Sequence, residues 1–449
     1  MATLEDPVTV GGVPVPNRLY RAPLLECAGN GPDAVDTFID ELEPTAESGV
    51  GLIFQGASIV TADGGCAAPN MTRMHDPAFV DRLSRLTDAV HDHGGRIFVQ
   101  LAHGGLRSRA VWHAGFRERD PDHAEPAVSR PPWQLRALDH LGLIDPNPEV
   151  LTTDEVRDLA EQFGRVAGYA AEAGYDGIHL SGANMGLVQQ FLSPLYNRRT
   201  DAFGDGPTEP TGAGGVRFLE AVHDAVRDHA GDVPLVTKVP AETAAPRFVR
   251  RHLTRDDALW IAEQLAEIGY DGLAPVEVSP FWDMSVVRGA YPDRAWAAED
   301  MRGGYAEAFG SPLRARAVAA LNRLQSRRFP HEAAWNADLC RAVRERVDVP
   351  VLCEGGVRER ATCDELLGGP EPAADLAGIG RPFYAEPRLG ARLLGERARE
   401  RDARALCESC NNCTVPQATG APGRCRTPAV VRERARLETE GVYDESDGG

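Results

Sequence analysis

The chain has 449 residues, 43% of them hydrophobic and 6% aromatic, enough to bury a large core. No apolar run reaches the roughly 18 residues that a membrane-spanning helix needs, and a net charge of -19 argues against nucleic acid or an anionic membrane as partner. Nine cysteines, an odd number in a chain whose amino terminus shows no basic-then-apolar leader, argue against a disulfide framework, so a cytoplasmic location is expected.

Of the 48 Lys plus Arg, only Lys238 is a lysine. An acidic surface almost free of lysine suits a halophilic, salt-rich cytoplasm, where salt screens self-repulsion. A GC-rich genome would also favour arginine, and both readings stay open.

In chain order, apolar β-rich segments alternate with helical patterns. The strand candidates are 18–23, 50–57, 96–102, 176–181, 234–240, 271–279, 349–354 and 375–380. Several are near-continuous hydrophobic runs, as in parallel strands covered on both faces. Helical patterns fall at 36–48, 78–93, 153–173, 215–229, 255–268, 336–346 and 362–367. Thr152 with Glu155 forms a capping box, and Gly49, Gly94, Gly174 and Gly269 mark helix ends.

This alternation points to an α/β fold, a (β/α)8 TIM barrel. An open doubly wound sheet would more often carry a Gly-rich phosphate turn after its first strand, and none is present. Two long loops follow strands 3 and 6, at 104–150 and 280–335, and are expected over the catalytic mouth. The expected division is 1–400 for the barrel and 401–449 for a Cys-rich extension with a charged tail.

One stretch organises the rest: Ala173 to Gly204, where a buried strand opens into Ser181, Gly182, Ala183 and Asn184 and then an apolar run to Pro194. A strand ending in small polar residues and an ordered loop is how a barrel presents a site.

Further markers are Asn17-Arg18 with Pro23, Gln100-Leu101-x-His103-x-Gly105, Gln190-Phe191-Leu192-Ser193-Pro194 with Tyr196-Asn197-x-Arg199-Thr200-Asp201, Gly355-Gly356, and Gly380-Arg381-Pro382. Taken together these residues resemble the old yellow enzyme family of FMN-dependent NADH:flavin oxidoreductases. They run in order over about residues 7–428.

The resemblance implies an FMN site. Pro23, Leu24 and Leu25 would line the isoalloxazine, with Ala57 near its edge. Gln100 would hydrogen-bond the pyrimidine end, and Lys238 would place a cation beside N1 and the C2 carbonyl, stabilising the reduced anion. Gly355, Gly356, Gly380 and Arg381 would hold the phosphate through backbone N–H groups and a guanidinium. NAD(P)H is expected as a reductant, stacking on the flavin.

The chain departs from the family's catalytic set. Where the family carries His-x-x-His or His-x-x-Asn and then a tyrosine, this chain has Ser181, Asn184 and Gly186, with His179 one step deeper. Ser181, Asn184 and His103 remain the catalytic candidates, and Tyr196 is another proton donor to consider. Some amine dehydrogenases of the family bind flavin covalently through a cysteine where this chain has Leu25, so covalent attachment is not expected.

Cys407, Cys410, Cys413 and Cys425 are spaced as three close thiols and one distant, a pattern that suits a [4Fe–4S] cluster, zinc, or free thiols. The resemblance to the trimethylamine dehydrogenase and 2,4-dienoyl-CoA reductase branch implies the cluster, acting as an electron relay. No G-x-G-x-x-G follows the cysteines, so a separate electron-transfer protein would be its partner.

The expected function is hydride transfer between flavin N5 and a small organic substrate or NAD(P)H, in the ene-reductase or amine-dehydrogenase manner. A flavin and iron–sulfur electron-transfer subunit without small-molecule turnover is the rival reading. Assembly as a homo-oligomer is left open.

Overall fold

A computed structural model describes residues 2–395, 398 and 403–444. Eight parallel strands form the sheet: β1 (Leu19–Arg21), β2 (Leu52–Ile59), β3 (Arg96–Ala102), β4 (Gly177–Leu180), β5 (Leu235–Ala241), β6 (Gly272–Glu277), β7 (Leu352–Glu354) and β8 (Leu376–Ile379). Their order is β6-β5-β4-β3-β2-β1-β8-β7, and a parallel bridge between Leu273 and Val351 joins the two edges into a barrel. All eight expected strands are present: four are shorter by a residue or two at each end, two are shifted by one or two residues, one loses three residues at its start, and 96–102 is unchanged.

The barrel interior is filled by large residues set against glycines. Tyr20, Phe54 and Phe98 meet edge to face, with ring centroids 5.5 and 5.6 Å apart. Space for two of these rings comes from neighbouring strands. A Cβ on Gly378, which pairs with Tyr20, would lie 2.1 Å from the tyrosine Cζ, and one on Gly177, which pairs with Phe98, would lie 2.4 Å from that ring. A short antiparallel hairpin, Val8–Val10 with Val13–Val15, adds Val10 and Val15 to this interior cluster.

The helices cover the outside. Thr153–Glu172 opens on the expected capping box at Thr152 and Glu155, and packs against Ala213–Ala230. Gly49, Gly94, Gly174 and Gly269 all take positive φ at helix ends, as their positions predicted. One expected helix differs. The pattern over 78–93 is divided into Pro77–Asp81 and Ser84–His91, because Leu83 N–H turns back to the Val80 carbonyl in a tighter turn.

The two long loops fold into helices of their own and interlock. Arg119 of the first pairs with Glu307 of the second at 2.6 Å, and Trp112 lies 6.0 Å from Phe309. The cysteine-bearing segment is stitched to the barrel rather than set apart: Arg360 and Ala405 N–H donate to the carbonyls of Ala403 and Arg358, and Cys425 N–H to that of Tyr384. The expected division after residue 400, and the last five residues of the charged tail, lie outside the described residues. No helix among the described residues is long and apolar enough to cross a membrane.

Candidate active site

A cavity of about 210 Å³ opens at the carboxyl ends of the strands. The chain after β1 supplies Pro23, Leu24 and Leu25 to it, the turn after β4 supplies Asn184, and β5 supplies Lys238. Gly355 and Gly356 follow β7, while Gly380 and Arg381 follow β8. Nine of the residues named from the sequence thus meet from distant parts of the chain.

The glycine pair after β7 is required by the backbone. Gly355 and Gly356 have φ of +115° and +75°, and a Cβ on Gly356 would fall 1.9 Å from the Glu332 carbonyl oxygen. Their N–H groups therefore belong to a turn that other residues enter at a cost. Gly380 meets nothing closer than 3.4 Å, so space alone does not demand glycine there.

Two arginines strengthen this end of the cavity. Arg381 donates Nη2 to the Arg288 carbonyl at 2.7 Å, while its buried Nη1 has no partner among the described residues. Arg358, two residues beyond the glycine pair, donates to the Cys407 carbonyl at 3.0 Å. Burial lowers its pKa, aided by the neighbouring Arg404. The sequence reading missed Arg358, although Gly-Gly-x-Arg was there to be read.

Lys238 is buried and ion-paired with Glu354, the last residue of β7. Glu354 was also missed, since a single carboxylate at a strand end carries no signal of its own. Opposite, Asn184 and Met185 both take left-handed φ, 64° and 65°, and the buried Asn184 Oδ1 has no partner. Consecutive non-glycine residues held in this region mark a turn that its surroundings enforce.

Four candidates lie elsewhere. The Gln100 amide sits 2.9 Å from Nδ1 of His179, and both are buried. Burial holds the His179 pKa well below its usual value, so the imidazole is neutral and accepts from Gln100. His103 is also neutral, pushed down to about 3 by burial, with Nδ1 accepting from Gly105 N–H at 3.1 Å. Ser181 is buried at the end of β4, where its N–H bonds the Leu101 carbonyl. Ala57 packs with Leu25 and Ile59 in a small apolar cluster. None of these four lines the cavity. Tyr196 is buried and donates to the Pro280 carbonyl at 3.4 Å.

A second, smaller cavity of about 20 Å³ is lined by Cys407, Cys410, Cys413 and Cys425 together. Arg381, Tyr384, Cys407 and Ser409 line both cavities, so the two adjoin. Burial pushes the Cys413 thiol up to about 12, against the pull of Arg381. Asn412 donates to Cys410 Sγ at 3.3 Å. Among the described residues, no three His, Cys, Asp or Glu side chains converge closely enough to hold a single metal ion.

The sequence profile of the NADH:flavin oxidoreductase / NADH oxidase family matches residues 3–278. The chain is 25% identical over 403 residues to an NADH oxidase of Thermoanaerobacter brockii, covering 90% of this chain and 52% of that protein. It is 26% identical over 440 residues to an N,N-dimethylglycine/sarcosine dehydrogenase of Chromohalobacter salexigens, covering 97% of this chain and 54% of the other. Among solved structures, histamine dehydrogenase from Rhizobium sp. 4-9 superposes with a TM-score of 0.68 at 20% identity, over 96% of this chain and 53% of that one. The chain spans about half the length of these relatives.

Proposed function

The chain belongs to the NADH:flavin oxidoreductase / NADH oxidase family, and on that premise we propose that it binds FMN in the larger cavity and exchanges hydride with a small organic substrate. The observation that carries the reading is the lining itself. It combines a left-handed glycine pair, an orphaned Arg381 nitrogen and a buried cation at Lys238. Such a cradle suits a phosphate at one end and a ring that gains negative charge on reduction at the other.

FMN bound there supplies hydride transfer at N5. The chain's residues would do the rest. Gly355 and Gly356 N–H groups, with Arg358 and Arg381, would hold the phosphate. Lys238 would place its charge at the polar edge of the ring, with Glu354 orienting the ammonium. Asn184, whose amide oxygen is unpartnered, would hold a polar group of the substrate over the ring.

The neutral, occluded His103 and His179 and the glycine at 186 favour oxidation of an amine-like substrate over protonation of an alkene. NAD(P)H is the natural alternative hydride donor. A flavin-bearing electron-transfer subunit without its own turnover is the rival, and the same departures from the family's catalytic set support it. Stopped-flow mixing of the oxidised protein with NADH, NADPH and a panel of amines separates the two.

Lys238→Ala should lower FMN retention or slow flavin reduction, because it removes the buried cation of β5 and leaves the half-buried Glu354 without its ion-pair partner. Unchanged flavin content and unchanged reduction rates would count against this role.

For the cysteines we propose a [4Fe–4S] cluster that relays electrons between the flavin and a separate protein. What supports the reading is that the four thiols line one small cavity that adjoins the larger one. Metal analysis of anaerobically purified protein should find about four iron and four sulfide per chain. Zinc in place of iron and sulfide would overturn it.

A further inference from the structure

A third concavity, about 850 Å³, lies beside the mouth of the barrel and is unlike the rest of this acidic protein. Three segments build it: the loop after β3, the loop that follows the helix Leu187–Leu192, and the loop after β5. They bring together Arg130, Arg136, Arg198, Arg247, Arg250 and Arg251, and no carboxylate lines the groove.

None of these six guanidiniums is in an ion pair among the described residues, although acidic side chains outnumber basic ones by 67 to 48. Arg198 is committed to the carbonyls of Leu195 and Arg130, and burial and Arg136 beside it depress its pKa. Arg130, Arg247, Arg250 and Arg251 are exposed, so their charges can meet an anion arriving from solvent.

The groove also offers places for something flat. Trp133 and Phe248 are 55% and 51% exposed, and their rings meet edge to face at 6.1 Å. Gln134 next to them is only 7% exposed, yet its Oε1 has no partner. An exposed aromatic pair stacks a heterocyclic base, and a buried amide oxygen accepts from its exocyclic amine.

We propose that this groove binds the adenine-nucleotide end of a large ligand, with the arginines on its phosphates and Trp133 and Phe248 on the base. That chemistry is shared by a pyridine dinucleotide and by a coenzyme A ester. The groove is built on the loops after β3, β4 and β5, and the turn after β4 and strand β5 also supply Asn184 and Lys238 to the proposed flavin site. An acidic electron-transfer protein fits less well, because the cysteine cavity adjoins β8 whereas this groove adjoins β3 to β5.

The inference uses the flavoenzyme reading only to say where the ligand's reactive end points, and its test does not depend on flavin. Calorimetric titrations of the purified chain with NADPH, NADH, coenzyme A, 3′-dephospho-coenzyme A and inorganic pyrophosphate read binding directly. At least one adenine nucleotide should bind more tightly than pyrophosphate, with an affinity that falls as salt rises. Preference for NADPH over NADH would identify a reductant's tail, and preference for coenzyme A over its dephospho form would identify a thioester substrate. Arg247→Ala/Arg250→Ala/Arg251→Ala should weaken that binding by about tenfold or more, since charge-assisted contacts to phosphate are lost.

Trp133→Ala, with all the arginines kept, should weaken the nucleotide but leave pyrophosphate unchanged. This second variant decides the matter if the triple one does not fold. Nucleotides binding no better than pyrophosphate, or equally well to Trp133→Ala, would overturn the proposal. A colourless preparation that still binds the nucleotide would instead defeat the flavin reading alone.

Discussion

Glu242 directly follows β5 and is buried, with Oε2 accepting from Leu253 N–H at 2.8 Å. Burial pushes its carboxyl up to about 7 from an ordinary 4.5, with Ser193 and Gln189 pulling the other way. A raised carboxylate favours the folded state only while it is protonated. The unfolded chain sheds this proton first, so stability falls as pH rises from about 4.5 to about 7, by on the order of 3 kcal/mol. Glu242→Gln should remove that slope. Denaturant melts of both forms at several values in this window should diverge, the variant gaining on the parent as pH rises, and parallel curves would refute the assignment.

At this scale the sequence spoke most clearly where the backbone itself forms the site. Gly355, Gly356 and Pro23 reach the cavity because their main chain passes there. Gln100 was read as a hydrogen-bond partner of the flavin's pyrimidine end, and the sequence did not show that its amide nitrogen meets His179. Glu354 and Arg358 were not read at all, because each gains meaning only from what lies across the barrel.

Among the elements, the strands and helices followed their periodicity closely. What periodicity cannot supply is which large residue faces which small one across two strands. Tyr20 and Gly378 are 358 positions apart, and only their pairing in β1 and β8 shows the glycine as the space for the ring. Gly378→Ala should therefore destabilise the barrel by about 1–3 kcal/mol, as overpacking does. A denaturant midpoint matching the parent would show that the ring moves aside freely. The turn after β4 was legible as a site but not as a strained one. Asparagine often accepts a left-handed conformation, whereas Met185 adopts it because the turn compels it.

For the whole molecule, the charge of -19 is the dominant long-range term, and its one lysine is buried in the proposed site. If the acidic surface is an adaptation to salt, raising KCl from about 0.1 M to about 1 M shortens screening from about 10 Å to about 3 Å and should raise the melting temperature. A flat or falling melting temperature would leave codon bias as the reason for the missing lysines.

The sequence by itself determined the barrel and the family, because periodic hydrophobicity and motifs at strand ends are local properties. It also placed four cysteines in one segment. Only the tertiary structure decided that Lys238 meets Glu354, that Arg381 stands between the two cavities, and that six arginines from three loops share one groove. Those are encounters between residues far apart in the chain, and no local pattern records them.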